Sequence, residues 1–264
     1  MERAAAGGAR MSAVLDIRGL RKSFGGLVVA DEITLSLRPR EVVGLIGPNG
    51  AGKTSLFNLI TGVVRPDAGQ IVMGSTRIDG MTMAERARSG IARTWQHARS
   101  FRSLTVLDNL LLGVHDYPGD SLLGSLLQRR INRKREREAE TRAMMLLERV
   151  RLAHKAHALA AELSYGQQKL MGMARALMGD GVCLLLDEPM AAVEGRTYAI
   201  MRDVIQEEAE RGQAVCLVEH NVGFIRDLCS RGVFMSAGRV LADGPVDELM
   251  RVKELKALYF GAAA

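Results

Sequence analysis

The chain has 264 residues, a length near the upper end for one domain or sufficient for a core domain with an inserted subdomain. Hydrophobic residues make up 47% and charged residues 25%, which are ordinary globular values and exclude a chain that is disordered or fibrous as a whole. The net charge of +6 favours an anionic partner, namely nucleic acid, a membrane surface or a small anionic ligand, without choosing among them.

The N-terminal part of the chain alternates between strand-like and turn-like segments. Residues 1–12 are rich in Ala and Gly and lack the apolar core of a secretory signal, so we expect a flexible tail there. Short apolar–polar alternations from Val14 to Leu37 predict two strands that meet at a Gly-Gly turn, Gly25-Gly26. We further predict a buried strand over 41–46, a glycine-rich turn over 47–52, a helix over 54–62 and a strand over 70–73.

The middle of the chain is helical in pattern, and the last third returns to strands. Residues from about 104 to 178 show helical periodicity, with a basic segment near 128–140. The pattern then predicts buried strands over 182–186 and 214–218, a helix between them over 198–211, a hairpin over 232–242 and a charged helix over 246–258. This alternation indicates a parallel sheet with helices on its faces. No segment approaches the ~20 apolar residues of a membrane-spanning helix.

The three cysteines, Cys183, Cys216 and Cys229, are odd in number and have no paired spacing. This excludes a disulfide framework and fits a reducing compartment. Cys183 and Cys216 lie in apolar runs, so we expect them to be small core residues. No spacing of Cys and His resembles a zinc site.

A glycine-rich motif between a predicted buried strand and a predicted helix is the strongest functional signal. It fits G-x-x-x-x-G-K-[ST], in which successive backbone N–H groups and the helix N-terminus bind phosphates. Lys53 would place a charge on the β- and γ-phosphates, and Thr54 would offer a hydroxyl to Mg²⁺. The predicted nucleotide-binding residues here are Gly47, Pro48, Asn49, Gly50, Ala51, Gly52, Lys53, Thr54 and Ser55.

Two further segments are candidates for functional roles because the phosphate-binding motif is also present. The apolar run 182–186 ends in Asp187 and Glu188, which suit a Mg²⁺ partner and a general base that polarises water. Two acids at a strand end are otherwise often only a solvated edge. Ser164 begins a predicted helix, where it can cap the helix while the N–H of Gly166 receives an anion.

In this order, the motifs resemble those of the ATP-binding subunits of ABC (ATP-binding cassette) transporters. The resemblance extends from Val14 to about Leu249 and implies an α/β fold: a P-loop NTPase cassette with a RecA-like core, an antiparallel β subdomain and an inserted α-helical subdomain. We therefore expect the ATP-binding domain at 13–249, its helical insert at about 97–178, and a C-terminal helical extension at 250–264.

The resemblance also implies roles for single residues. Phe24 matches the aromatic that stacks on adenine, unless it is a core residue, and Gln96 matches the glutamine that senses Mg²⁺ and the attacking water, unless it is an ordinary exposed glutamine. His220 matches the switch histidine, so the implied catalytic residues are Glu188, His220 and Gln96. The implied Mg²⁺ set is Thr54, Gln96 and Asp187.

The implied signature acts on ATP bound to the opposite subunit and comprises Ser164, Tyr165, Gly166 and Gln167. The chain departs from the family pattern at Tyr165, where glycine is usual, and at Glu194, where many relatives have Asp or Asn. These two departures put the fit to the partner's nucleotide and inter-subunit signalling in doubt, but they remove no catalytic group.

A narrower resemblance concerns the LivG-type subunits of branched-chain amino-acid importers and their relatives in urea and amide import. It rests on residues 24–27 and 93–96, a long basic insert over about 117–160, and the tail 255–261. It implies ATP and Mg²⁺ as cofactors, two membrane permease subunits, a second ATP-binding subunit, identical or homologous, and a solute-binding protein outside the membrane. It also implies a peripheral position on the cytoplasmic face of the bacterial inner membrane.

Three alternatives remain beside import. A lipopolysaccharide or lipid-export ATPase shares the core and a similar tail but usually lacks the insert, and a soluble ABC ATPase outside transport lacks the narrower matches. A nucleic-acid-associated protein is favoured only by the basic run 129–137, whose interleaved Glu136, Glu138 and Glu140 indicate a solvated helix face, so we expect no nucleic-acid partner.

Overall fold

The computed structural model describes residues 13–95, 100–114, 129–252 and 255. The strands are β1 (Leu15–Phe24), β2 (Leu27–Leu37), β3 (Val42–Ile46), β4 (Ala68–Met73), β5 (Thr76–Arg77), β6 (Ile91–Arg93), β7 (Cys183–Asp187), β8 (Ala214–Val218), β9 (Arg231–Ser236) and β10 (Arg239–Pro245). The helices are α1 (Lys53–Thr61), α2 (Met83–Arg88), α3 (Val106–Leu111), α4 (Arg129–Arg149), α5 (Tyr165–Ala176), α6 (Gly195–Glu210), α7 (Val222–Leu228) and α8 (Val246–Leu249).

A small antiparallel sheet has the strand order β2-β1-β4-β5. β1 and β2 turn at Gly25-Gly26, as predicted, with Leu15 opposite Leu37 and Phe24 opposite Leu27. The alternating side chains of β1 put Leu15 and Ile17 in the core, both fully buried. Such alternation is expected of a sheet that has one face in the core and one face exposed to solvent.

A six-stranded sheet forms the centre of the molecule, in the order β10-β9-β3-β8-β7-β6. Only the β9–β10 pair is antiparallel; β9, β3, β8, β7 and β6 run in one direction. Every residue of β3, β7 and β8 is buried, as the continuous apolar runs predict. Because these three strands are parallel neighbours, the segments that follow them meet at one edge of the sheet.

The helices α3, α4 and α5 pack on one another beside the large sheet. Leu110 of α3, Leu147 of α4 and Leu170 of α5 belong to one hydrophobic cluster that continues into β7 and β8. Thr105 and Ser164 cap the N-termini of α3 and α5 with capping boxes. Along α4, the residues from Arg133 to Glu138 are exposed, and Lys134 pairs with Glu138 at 3.7 Å, which supports a solvated face there.

Two predictions about the core and the C-terminus have opposite outcomes. All three cysteines are buried and free, which confirms Cys183 and Cys216 as core residues. The prediction of one helix over 246–258 is wrong, because α8 is a single turn that buries Val246 and Leu249, and the chain leaves the helix at Met250. Within the described ranges, no helix has the length and apolar character needed to span a membrane.

Candidate active site

The loop between β3 and α1 requires glycine at two positions, Gly47 and Gly52, because a side chain there would clash with neighbouring backbone. A Cβ atom on Gly47 would clash with the carbonyl oxygen of Met235, and one on Gly52 would lie 2.6 Å from the carbonyl oxygen of Val29. Gly52 also has φ 97°, which L-residues with side chains rarely adopt. Close packing on both sides therefore holds the loop curled against the N-terminus of α1.

Lys53, the first residue of α1, is buried beneath this loop, with 6% of its surface exposed. Its Nζ donates to the carbonyl oxygens of Gly47, at 2.6 Å, and Pro48, at 2.9 Å. Burial lowers the pKa of this ammonium group, while attraction by Glu188 and Asp187 opposes that shift. The structure thus brings the predicted phosphate-binding lysine into the field of both predicted acids.

Asp187 ends β7 and is 2% exposed. One carboxylate oxygen, Oδ2, accepts a hydrogen bond from Arg93 Nη2 at 2.8 Å, whereas Oδ1 is buried and has no hydrogen-bond partner among the described residues. A buried carboxylate oxygen without a donor suits a hard cation such as Mg²⁺, which proteins hold by one or two carboxylates together with phosphate oxygens. Asp187 therefore fits a metal, and Thr54, exposed at the start of α1, supplies a hydroxyl on the phosphate loop.

Arg93 is the residue that fixes Asp187, and it has no role in the sequence-based predictions. Its guanidinium is almost fully buried, and Nη1 donates to Asn58 of α1 at 2.7 Å. The same group stacks on the ring of Trp95, at 4.3 Å from the centroid. Arg93 thus joins β6, β7 and α1. In the sequence, it stood out only as the first residue of the segment 93–96, which contributes to the narrower resemblance.

Glu188 and His220 meet at the edge of the large sheet. Oε1 of Glu188 lies 3.0 Å from Nε2 of His220, which follows β8. Glu188 has φ 48°, a left-handed backbone conformation that is uncommon for residues other than glycine. Two residues that were predicted as catalytic from separate motifs are therefore in direct contact.

Two buried charged residues support this turn, and neither received a role from the sequence. Glu219 accepts hydrogen bonds from the backbone N–H of Met190, at 2.6 Å, and of His220, at 3.2 Å. Burial raises the pKa of Glu219, and the two N–H donors and Lys169 oppose that shift. Lys169 Nζ donates to the carbonyl oxygen of Glu188 at 2.6 Å. Glu219 could have been found by the signal that selected Asp187, an acid at the end of a buried strand.

The signature residues begin α5. The Ser164 hydroxyl accepts from the N–H of Gln167, and the Gln167 side chain accepts from the N–H of Ser164, so the predicted cap is confirmed. A Cβ on Gly166 would lie 3.1 Å from Thr197 at the start of α6, which explains glycine there. Ser164 and Tyr165 are exposed. Within the described ranges, no side-chain hydrogen bond joins these residues to the phosphate loop of the same chain.

The remaining predicted residues have separate outcomes. Phe24 is 51% exposed at the end of β1, with Lys22 Nζ 5.2 Å from its ring centroid, so the core interpretation of Phe24 is wrong. Gln96 lies outside the described residues. Glu194 is the N-cap of α6, but its side chain makes no capping hydrogen bond. The shorter Asp or Asn would suit that capping position better.

A cavity of about 520 Å³ lies between β6, the helices α2 and α5, and the residues that follow α3, Leu112 to Val114. Its apolar lining includes Met83, Trp95, Leu112 and Met173, and Asp187 also borders it. The cavity thus connects an exposed tryptophan to the acid that Arg93 holds.

Comparisons with known proteins agree with this geometry. The model of the ABC transporter family matches residues 30–191. The high-affinity branched-chain amino acid transport ATP-binding protein LivG of Salmonella typhimurium is 35% identical over 95% of this chain and 98% of its own length. The lipopolysaccharide export system ATP-binding protein LptB of Escherichia coli is 32% identical over 94% of this chain and 98% of its own. The crystal structure of an ATP-binding cassette in its ADP conformation superposes with a TM-score of 0.82 at 28% identity, covering 95% of this chain and all of that one.

Proposed function

This chain belongs to the ABC transporter family, and from that premise we propose that it is the ATP-hydrolysing subunit of an importer of branched-chain amino acids or of a related amino acid, amide or urea. One observation carries the catalytic part of the proposal. Lys53, Asp187, Glu188 and His220, which come from three separate segments, converge at the edge of the large sheet formed by parallel strands.

The phosphate loop binds the nucleotide in this proposal. The backbone N–H groups of the loop, other than at Pro48, which has none, and the N-terminus of α1 would face the phosphates, and Lys53 would exchange its two carbonyl acceptors for phosphate oxygens. That exchange is favourable because hydrogen bonds between charged groups are stronger than those to neutral carbonyls. The exposed ring of Phe24 is available to stack on the adenine.

Thr54 and Asp187 would hold Mg²⁺ together with the phosphates, and Gln96 would complete the set. The metal would supply charge stabilisation for the phosphoryl group. Arg93 keeps one oxygen of Asp187 occupied, so that Oδ1 remains the oxygen available to a cation.

Glu188 is the proposed general base for the attacking water. Its carboxylate lies 3.0 Å from His220, which would orient it and would itself contact the γ-phosphate. Ser164 and Tyr165 at the start of α5 are exposed, and the Ser164 and Gln167 side chains bond within their own helix cap, so we assign the signature to a nucleotide on a second cassette. Two cassettes would close head to tail and exclude bulk water from the γ-phosphate.

The membrane part of the transporter is supplied by two permease subunits, and a solute-binding protein delivers the solute. We place the docking of a short permease helix at Gln96 and the segment 104–111. The cavity that Trp95 and Leu112 line supports this position, because these two residues adjoin Gln96 and α3 in the chain. The chain would then lie peripherally on the cytoplasmic face of the bacterial inner membrane.

Reconstitution tests the proposed solute class. The chain is co-expressed with the candidate permease subunits, purified as a complex and placed in proteoliposomes with the solute-binding protein. We expect ATP hydrolysis to rise when branched-chain amino acids are present, because only loaded binding protein favours the closed state. Stimulation by a lipopolysaccharide instead of any amino acid, amide or urea would assign the chain to lipid export. Recovery of an active assembly without membrane subunits would contradict transport itself.

A further inference from the structure

Tyr165 is the signature residue that departs from the family pattern, and its surroundings give it a defined contact. It is 47% exposed at the first position of α5, directly after the capping Ser164. Its ring centroid lies 5.5 Å from Nζ of Lys169, one helical turn further on. An aromatic ring at this distance attracts the ammonium group and limits where that group can lie.

Lys169 lies one turn into α5 and connects the exposed start of this helix with the active site. It is 7% exposed, and its Nζ donates to the carbonyl oxygen of Glu188 at 2.6 Å. Burial lowers the pKa of its ammonium, and the charges of Glu219, Glu188 and Asp187 oppose that shift. Because the Lys169 ammonium is buried and bonded to the Glu188 carbonyl oxygen, a movement of α5 is transmitted to the Asp187–Glu188 turn.

Glu188 is the part of the turn that such a movement would change. Its φ of 48° is unfavourable for a residue with a side chain, so its contacts must hold it there. The N–H of Glu188 donates to the carbonyl oxygen of Val218 at 2.9 Å, and Lys169 holds its carbonyl oxygen. Glu219 fixes the following residues through Met190. The direction of the Glu188 carboxylate therefore depends on where the Lys169 ammonium lies.

We propose that Tyr165, Lys169 and the backbone of Glu188 form a relay by which engagement of the signature on the partner's nucleotide positions the general base of the chain's own site. Lys169 is a positioning residue in this relay, and Tyr165 is its exposed sensor. The inference rests on the proposed function, because it requires a second cassette and Glu188 as the base.

The test uses the assembled transporter and compares two pairs of variants. Lys169→Met removes the charge at similar length, and Lys169→Arg keeps it; Tyr165→Gly installs the residue usual in the family, and Tyr165→Phe keeps the ring. We expect Lys169→Met to lower kcat about tenfold or more, as a misplaced base would, while the Kd for ATP stays within about twofold. Lys169→Arg recovers most of kcat, and Tyr165→Phe retains more activity than Tyr165→Gly.

Non-additivity identifies the relay. In the double variant Tyr165→Gly/Lys169→Met, we expect no further loss beyond Lys169→Met alone, because both changes interrupt one path. Lys134→Met on the exposed face of α4 is the matched lysine control and should leave kcat unchanged. Thermal unfolding is followed for each variant, and if Lys169→Met does not fold, the tyrosine pair and Lys169→Arg carry the test.

Distinct outcomes separate the two proposals. An active wild type that requires Glu188, with kcat unchanged in Lys169→Met or with additive losses in the double variant, overturns the relay alone. A parallel loss of kcat and ATP affinity, unrelieved by Lys169→Arg, shows a purely structural lysine and also overturns it. A wild-type complex whose hydrolysis does not require Glu188 overturns the proposed function instead.

Discussion

At the scale of single residues, the site depends on buried charges whose partners are mostly backbone groups. The Lys53 ammonium binds two carbonyl oxygens of its own loop, and the Glu219 carboxylate binds two backbone N–H groups. Such contacts hold a charged group in place without neutralising it, so its charge remains available for a ligand or for a neighbouring side chain.

Lys53 is the first residue whose removal should be decisive. Lys53→Ala deletes the charge that faces the phosphates, a loss of roughly 1.5–3 kcal/mol for a charged hydrogen bond, so ATP affinity should fall by about 10- to 150-fold. Isothermal titration calorimetry of the purified chain measures this. Lys134→Ala is the control. An unchanged ATP affinity in Lys53→Ala would contradict the proposal that the phosphate loop binds ATP.

Glu219 should make stability depend on pH. Burial raises its pKa above the ordinary value of 4.5, so the unfolded chain loses this proton before the native chain does. The stabilisation by protonated Glu219 is present below about pH 4.5 and is lost as the pH rises through the native pKa. The free energy of unfolding of the wild type minus that of Glu219→Gln should therefore fall over this range and then become constant. Urea unfolding at a series of pH values checks this, and a difference that rises with pH is the opposite result.

At the scale of elements, α1 carries the phosphate loop at its N-terminus and is anchored at its C-terminus by Arg86. This guanidinium is fully buried and donates to the carbonyl oxygens of Leu59, at 2.6 Å, and Ile60, at 2.9 Å. It also donates to the carbonyl oxygens of Asp79 and Met81, which lead into α2. Arg86 therefore satisfies the terminal carbonyls of α1 and holds the helix against the next one.

Removing this anchor should cost stability more than activity. Arg86→Met leaves several buried carbonyls without a donor, at about 1–3 kcal/mol each, so we expect a loss of about 3 kcal/mol or more in the free energy of unfolding. Urea denaturation measures the loss. Arg77→Met, which removes an exposed guanidinium from its ion pair with the partly buried Asp79, is the matched control and should change less than Arg86→Met. Equal effects of the two variants would show that Arg86 is no anchor.

β6 is an element that the sequence did not predict, because strand pairing rather than a local pattern defines it. β6 has only three residues, too few for a periodicity, and exists because Ile91 to Arg93 pair with Cys183 to Leu185 of β7. A charged helix was predicted over 246–258, whereas α8 is one turn that buries Val246 and Leu249 and is followed by its C-cap, Met250. The strands β3, β7 and β8, by contrast, could be predicted from the sequence, because a strand that is buried on both faces is a continuous run of apolar residues.

At the scale of the whole molecule, parallel strand order brings distant motifs together. The sequence predicted Lys53, Asp187 and Glu188 as site residues from local motifs, and His220 from the resemblance to the family. It could not predict the Arg93–Asp187 contact, across 94 residues, or the Lys169–Glu188 contact, across 19, since these depend on how β6 and α5 pack on the sheet. The same packing leaves Ser164 and Tyr165 exposed at the start of α5, as the proposed closure by a second cassette requires.

The Glu188→Gln variant tests the central claim most directly, that Glu188 is the base of an ATP site closed by a second cassette. Phosphate release with Mg²⁺ and ATP is measured in the purified chain, together with its molar mass by light scattering. Since a general base typically contributes 10²–10⁴-fold, we expect hydrolysis to fall by about 100-fold or more while an ATP-bound dimer accumulates. A hydrolysis rate equal to that of the wild type, with no dimer retained, would contradict the account.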